Sequence, residues 1–352
     1  MIVDDSALMR KVLKEIIMTD SSLEVVGTAR DGQEAIEKAR DLKPDIVTMD
    51  INMPVMDGLT SMQHIQSEFP DLPVLVVSSL TSEGALITFE ALELGAFDYV
   101  AKPSGTVSNN LHIVGKEIIE KIKLANKNVN KKNISDRVIR RSNKKTESLQ
   151  LSTKKMGFKK SEGLSKVVVI GISTGGPGTL MEVLPLLPQD LKAAVIIIQH
   201  MPPTFTASFA KRLDNACQIS IKEAEAGDVL QNGCGYLGAG GYHLVVRGEE
   251  GMLRLPCSPK TLFMPSVNVT MDSVLETFGG KNVIGVLMTG MGDDGADAMV
   301  KIRNAGGLTI AEDESTAVVF GMPREAIERG GAEIVLPSYM VADAIIKAVK
   351  KG

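Results

Sequence analysis

In the second half of the chain three short apolar runs lead into polar residues. VVVIGI runs into Ser173, AVIIIQ into His200, and VIGVLM into TGMGDDG, which carries Asp294. Unbroken apolar runs of this length, separated by stretches of helical periodicity, read as strands buried on both faces. Strands of that kind belong to a parallel sheet crossed over by helices. In an open parallel sheet, ligands bind outside the carboxyl ends of the strands. Ser173, His200 and Asp294 therefore fall on one edge, although more than a hundred residues separate the first from the last. The first half follows the same plan. MIV ends at Asp4 and Asp5, DIVTM at Asp50, PVLVV at Ser78 and DYVA at Lys102. The expected fold class is α/β throughout. It comprises an N-terminal flavodoxin-like (βα)5 domain and a C-terminal doubly wound, mainly parallel α/β domain.

A chain of 352 residues holds two cored domains. Their expected limits are residues 1–124 and 164–352. Between them, residues 125–163 carry twelve Lys or Arg against three acids, in a chain whose net charge is −4. That stretch has no apolar periodicity and reads as a basic flexible linker. The alternative is an arm for nucleic acid or anionic lipid. The basic residues are interspersed with Asn and Ser and lack a stacking set of aromatics, which favours the linker. No apolar run is long enough to cross a bilayer. The N-terminus lacks a basic-then-apolar leader pattern. The expectation is a cytoplasmic monomer with no membrane insertion and no nucleic-acid partner. Cys217, Cys234 and Cys257 are odd in number and lack CxxC spacing, so reduced structural thiols are expected.

In the first half, Asp4, Asp5 and Asp50 are carboxylates from two strand ends, a donor set for one Mg²⁺. Asp50 beside that ion can attack phosphorus, with Lys102 neutralising the transferred group and Ser78 offering it a hydroxyl. Acids in loops are commonly just solvated, but five such groups gathered at expected strand ends are hard to obtain by chance. The patterns V-D-D-S-x-x-M-R, M-D-I-x-M-P-x-M-D-G, V-S-S and Y-V-x-K-P closely resemble the response-regulator receiver domain over residues 1–124. The resemblance implies that Asp50 accepts phosphate from a phosphohistidine on a chemotaxis histidine kinase. It implies that Asp4, Asp5, Asp50 and the Asn52 carbonyl bind Mg²⁺, that Ser78 and Lys102 read the phosphoryl group, and that Tyr99 is the switch aromatic. Only Met1, Ile2 and Val3 precede the acidic pair. A first strand that short is expected to leave neighbouring backbone groups without partners.

In the second half, Gly171-Ile-Ser173-Thr-Gly175 matches G-x-S-x-G, a tight strand-to-helix turn that exposes a serine. Read alone, the motif has an alternative, a glycine-rich turn with an incidental serine. A serine nucleophile needs a base, and the chain has four histidines. His64 lies in a helical pattern of the first domain and His112 near that domain's last helix. His243 follows the glycine-rich YLGAGGYH turn as a possible pocket residue, and His200 ends a buried strand. Asp293, Asp294 and Asp297 offer the orienting carboxylate, or merely caps for the next helix. The order Ser…His…Asp differs from that of α/β-hydrolases. GISTGGP, QHMPPTFTASFAKRL, KEAEAGD, TGMGDDG and VVFGMPREAI closely resemble the catalytic domain of the chemotaxis protein-glutamate methylesterases. The resemblance implies Ser173 as nucleophile, His200 as base and Asp294 as orienting acid, with Thr174 supporting the histidine and the Met291 N–H facing the oxyanion. It further implies demethylation of glutamate γ-methyl esters, and deamidation of glutamines, on methyl-accepting chemotaxis receptors, with the receiver gating the site and no cofactor for the ester chemistry. Two segments depart from the family's pattern, Phe263–Asn268 and Ala239–Tyr242, both beside the substrate cleft in the family. The competing reading is a binding module in which Ser173 does not turn over.

Overall fold

A computed structural model describes residues 1–102, 114–125, 163–164 and 166–351. The chain divides into two units, Met1–Lys145 and Thr146–Gly352.

The first unit alternates strand and helix. Its strands are β1 (Ile2–Val3), β2 (Thr28–Ala29), β3 (Val47–Met49), β4 (Val74–Ser78) and β5 (Asp98–Ala101). They line up as β2-β1-β3-β4-β5, every pair parallel, the flavodoxin-like order. Between them lie α1 (Ala7–Ile17), α2 (Gly32–Leu42), α3 (Gly58–Glu68) and α4 (Ser82–Glu93), and residues 114–125 form a further helix, α5. Each of α1 to α4 starts where a short polar residue, Ser6, Asp31, Asp57 or Thr81, accepts an N–H from the first turn. Strand β1 is as short as the sequence demands, but it does not strand its neighbours. Thr48 and Asp50 N–H donate to the Met1 and Val3 carbonyls, and Ile2 and Asp4 N–H to Gly27 and Ala29. The expected gap in pairing is absent because residues 1–4, flanking turns included, bond on both sides.

Most of the expected linker falls at residues 126–162, outside the described residues, as does His112. Its first position, Ala125, is buried at the end of α5.

The second unit is built on a seven-stranded parallel sheet ordered β14-β13-β12-β6-β7-β9-β8. Here β6 is Val167–Ile172, β7 Ala194–Gln199, β8 Ser220–Glu223, β9 Cys234–Leu237, β12 Val283–Leu287, β13 Leu308–Glu312 and β14 Ile334–Leu336. A separate antiparallel pair joins β10 (Val245–Arg247) to β11 (Met252–Arg254). The helices are α6 (Gly176–Val183), α7 (Pro203–Ala216), α8 (Val267–Phe278), α9 (Ala296–Asn304), α10 (Met322–Glu328) and α11 (Ser338–Lys350). Every residue of β6, β7 and β12 is buried, as strands covered on both faces must be. Each large aliphatic side chain so placed contributes roughly 1.5–3 kcal/mol of apolar burial. Strand β6 sits between β7 and β12, where the connections diverge, so the switch point of the sheet lies at its carboxyl end. Cys217 and Cys234 are buried, Cys257 is exposed, and none of the three is in a disulfide.

Candidate active site and phosphoacceptor site

Register places the serine beside the histidine. Ile172 and Gln199 are paired at the ends of β6 and β7, so Ser173 and His200 are the next residues out on adjacent strands. The His200 N–H donates to the Ile172 carbonyl at 3.2 Å. Gln199, buried at the last position of β7, ties the two turns together. Its amide donates to the Ser173 carbonyl at 3.0 Å and to the His200 carbonyl at 3.1 Å. The serine's own N–H donates to the Thr289 carbonyl at 2.9 Å. Gly175, at φ 75°, turns the chain into α6, and a Cβ there would lie 2.5 Å from the Val318 side chain. Only glycine meets both conditions.

Asp294 joins from the loop after β12. Its Oδ2 lies 2.9 Å from His200 Nε2 and accepts the Val267 N–H at 2.7 Å. Its Oδ1 accepts the Ser266 hydroxyl at 2.8 Å and the Asn268 N–H at 3.0 Å. The carboxylate thus sits at the amino end of α8, where free N–H groups and the helix dipole favour negative charge. Burial alone would raise its pKa. The His200 hydrogen bond and charge, with the Asn268 and Val267 amides, hold it below the ordinary carboxylate value. A carboxylate facing Nε2 makes that nitrogen the N–H donor and leaves Nδ1 as the basic atom. Nδ1 is buried and has no hydrogen-bond partner. Ser173 Oγ is not bonded to it in this structure, a looseness common in unliganded sites.

The remaining expected groups divide. Asp293 and Asp297 point elsewhere, to Arg329 at 2.6 and 2.8 Å. The Met291 N–H makes no hydrogen bond among the described residues. Thr174 is buried, but it bonds neither ring nitrogen of His200; its carbonyl accepts the Thr289 hydroxyl at 2.8 Å. His64 is exposed on α3. His243 is fully buried in the second unit, where its Nδ1 accepts the Ser266 N–H at 3.2 Å.

The first unit gathers its acids at the matching edge. Carboxylate oxygens of Asp4, Asp5 and Asp50 lie within 4.8 Å of one another. Lys102 Nζ stands 2.7 Å from Asp50 Oδ2 and 2.9 Å from Asp4 Oδ2. Burial pushes the Asp50 carboxyl above its ordinary pKa; Lys102 opposes the shift and Asp4 adds to it. Burial would lower the Lys102 pKa, but the two carboxylates hold it raised. The Asn52 carbonyl accepts no hydrogen bond among the described residues. Ser78 is buried and donates to the Gly84 carbonyl at 3.3 Å. Tyr99 is buried on β5 with Lys121 Nζ 5.3 Å from its ring centre and 2.6 Å from its carbonyl.

Comparison with known proteins bears on both edges. A family model described as CheB methylesterase matches residues 168–345, and one described as response regulator receiver domain matches residues 1–111. A protein-glutamate methylesterase/protein-glutamine glutaminase of Caldanaerobacter subterraneus subsp. tengcongensis is 52% identical, over 100% of this chain and 96% of its own length. The chain belongs to that family. Another member, from Pyrococcus abyssi, is 44% identical over 99% of this chain and 93% of its own. The crystal structure of the Thermotoga maritima CheB methylesterase catalytic domain aligns with a TM-score of 0.50 at 41% identity, covering 52% of this chain and 98% of that one.

Within this methylesterase fold several supporting contacts were not legible in the sequence, although the segment Phe263–Asn268 stood out as a departure from the family's pattern. Gln199 was visible only as a polar end to an apolar run. Ser266 and Phe263 lie in a loop with no periodicity; Ser266 binds Asp294, and the Phe263 ring stacks on His200. Glu312, fully buried at the end of β13, accepts the Thr289 N–H at 2.8 Å and the Thr316 hydroxyl at 3.0 Å.

Proposed function

We propose that the chain is a phosphorylation-controlled serine hydrolase that demethylates glutamate γ-methyl esters, and deamidates glutamines, on the cytoplasmic helices of chemoreceptors. The observation that carries the reading is the His200–Asp294 bond, which leaves an unpartnered Nδ1 on the residue that follows β7, level with Ser173 at the end of the adjacent β6. Ser173 Oγ attacks the ester carbonyl as His200 Nδ1 takes its proton. Asp294 holds the ring and stabilises the imidazolium. The Met291 N–H receives the oxyanion. Methanol, or ammonia from a glutamine, leaves with the proton from His200. Water, deprotonated by the same nitrogen, then frees the glutamate carboxylate. Each product adds a negative charge to the receptor's helices.

The first unit supplies control. The convergence of the Asp4, Asp5 and Asp50 oxygens fits a hard divalent cation, with the Asn52 carbonyl as a further donor. When bound, Mg²⁺ would supply positive charge to phosphoryl oxygens. Asp50 attacks the phosphorus of a kinase phosphohistidine; the P–N bond breaks, the kinase imidazole leaves, and the phosphoryl group stays on the Asp50 carboxylate. Lys102 then exchanges its Asp50 contact for a phosphoryl oxygen, and Ser78 exchanges the Gly84 carbonyl for another. The phosphoryl group adds charge at these strand ends, and that change switches the esterase on. The site of action is cytoplasmic and the working form a monomer. Among the described residues no helix is long and apolar enough to cross a membrane.

The test is methanol release from methylated receptor fragments, with glutamine-to-glutamate conversion followed by mass. Both should be present in the native chain and absent in Ser173→Ala. Release that persists in Ser173→Ala would refute the assignment.

A further inference from the structure

The two segments that depart from the family's pattern pack together and reach the catalytic base. The Gly241 N–H donates to the Met264 carbonyl at 3.0 Å, and the His243 N–H to the Pro256 carbonyl at 2.9 Å. The buried His243 ring spans the strap that follows. Its Nε2 is 2.7 Å from the Pro259 carbonyl, and its Nδ1 accepts the Ser266 N–H at 3.2 Å. That pairing fits only the neutral ring with the proton on Nε2. Thr261, whose hydroxyl is 3.5 Å from the same Nε2, donates to the Phe263 carbonyl. The strap so fixed lays the Phe263 ring on His200, centroids 4.1 Å apart and planes within 7°. At its far end Ser266 grips Asp294.

We propose that Phe263 is a positioning residue for the His200 base, and that His243 is the buried anchor that holds it there. A ring bonded only through Nε2 can still swing about that bond. A parallel aromatic face removes that freedom, covers one side of the imidazole from water, and keeps Nδ1 in the plane where Ser173 must meet it. Thus the strap from Pro259 to Ser266 sets two members of the triad at once, the histidine by stacking and the aspartate by a hydrogen bond. Phe263 touches His200, whereas Leu262 beside it is 86% exposed, so the apolar strap presents one side chain inward and one to solvent.

The inference rests on His200 being the base, and its test separates the two ideas. Phosphorylated full-length Phe263→Ala should release methanol with kcat lowered by roughly three- to tenfold, the value of one aromatic pair, and KM little changed. Phe263→Tyr should restore the rate; Phe263→Leu, apolar but not planar, should not. A proton spectrum reads the His200 Nε2–H shared with Asp294, which a carboxylate moves far downfield. That resonance should be sharp in the native chain and in Phe263→Tyr, and broadened in Phe263→Ala. Half-buried Phe263 can be truncated without emptying the core, and a melt confirms folding. His243→Leu should reproduce the Phe263→Ala kcat loss if it folds; if it does not, the Phe263 series decides alone. An unchanged kcat and an unchanged resonance in Phe263→Ala would overturn the proposal, as would a rise in KM with kcat held, since Phe263 would then bind substrate instead. An active His200→Ala would overturn the underlying site assignment itself, whatever Phe263 does.

Discussion

Asp294 does what neither neighbouring acid can. Both its oxygens already accept backbone N–H groups, Val267 on Oδ2 and Asn268 on Oδ1. In Asp294→Asn the new amide must point one of its own N–H groups at a backbone donor, whichever way it is turned. The substitution should therefore both misorient His200 and destabilise the loop. A kcat loss of roughly a hundredfold or more is expected, in the direction known for serine-protease triads. Asp293→Asn breaks only an exposed pair with Arg329 and should cost under about 1 kcal/mol and little rate. Methanol-release kinetics on the two variants check this, and a more damaging Asp293→Asn would reverse the assignment. Glu312 gives a pH signature. Burial raises its pKa from 4.5 to about 7, against the Thr289 and Thr316 hydrogen bonds. Between those values the folded state holds a proton that the unfolded chain has released. Its contribution to stability is therefore full below pH 4.5 and is lost as pH rises to about 7. Melts of native protein and Glu312→Gln from pH 5 to 8 should show a decline in the native protein that the variant flattens; parallel curves would contradict it.

The strand ends were readable in advance because a buried parallel strand announces itself by an unbroken apolar run, and its next residue must lie on the edge. That logic located Ser173, His200, Asp50, Ser78 and Lys102. It could not separate Asp294 from Asp293 without a family resemblance, since both follow the same run; the deciding fact is which one meets the start of α8. Nor could it find Phe263 or Ser266. They belong to a loop whose path is set by His243 and by carbonyls distant in sequence, and no local pattern encodes such contacts. The first strand shows the opposite failure: a shortage inferred from length was made good by pairing on both flanks. The start of α8 yields its own prediction. Ser266 caps the helix through Val269 and holds Asp294. Ser266→Ala should lower stability by about 1 kcal/mol and reduce kcat beyond what that loss of folded protein explains. Denaturant unfolding beside initial rates would expose a variant that loses stability alone, which would remove Ser266 from the account of the triad.

For the molecule as a whole, the Asp50 cluster and the Ser173, His200 and Asp294 cluster lie in different units and on separate sheets; on the proposed function one is the phosphoacceptor edge and the other the hydrolytic edge. The two chemistries should come apart under mutation. Asp50→Asn should abolish the response to a small-molecule phosphodonor and leave basal methanol release intact. Removal of residues 1–160 should raise basal release above that of the unphosphorylated full chain. A truncated, folded enzyme slower than the full chain would contradict control by restraint. Beneath all of this lies the nucleophilicity of Ser173, which a fluorophosphonate probe reads directly. Intact-mass and peptide analysis of the native chain should find one adduct, on Ser173, that fails to form in His200→Ala or in unfolded protein. No adduct, or an adduct on another residue, would mean that this edge binds its ligand without the covalent chemistry assigned to it.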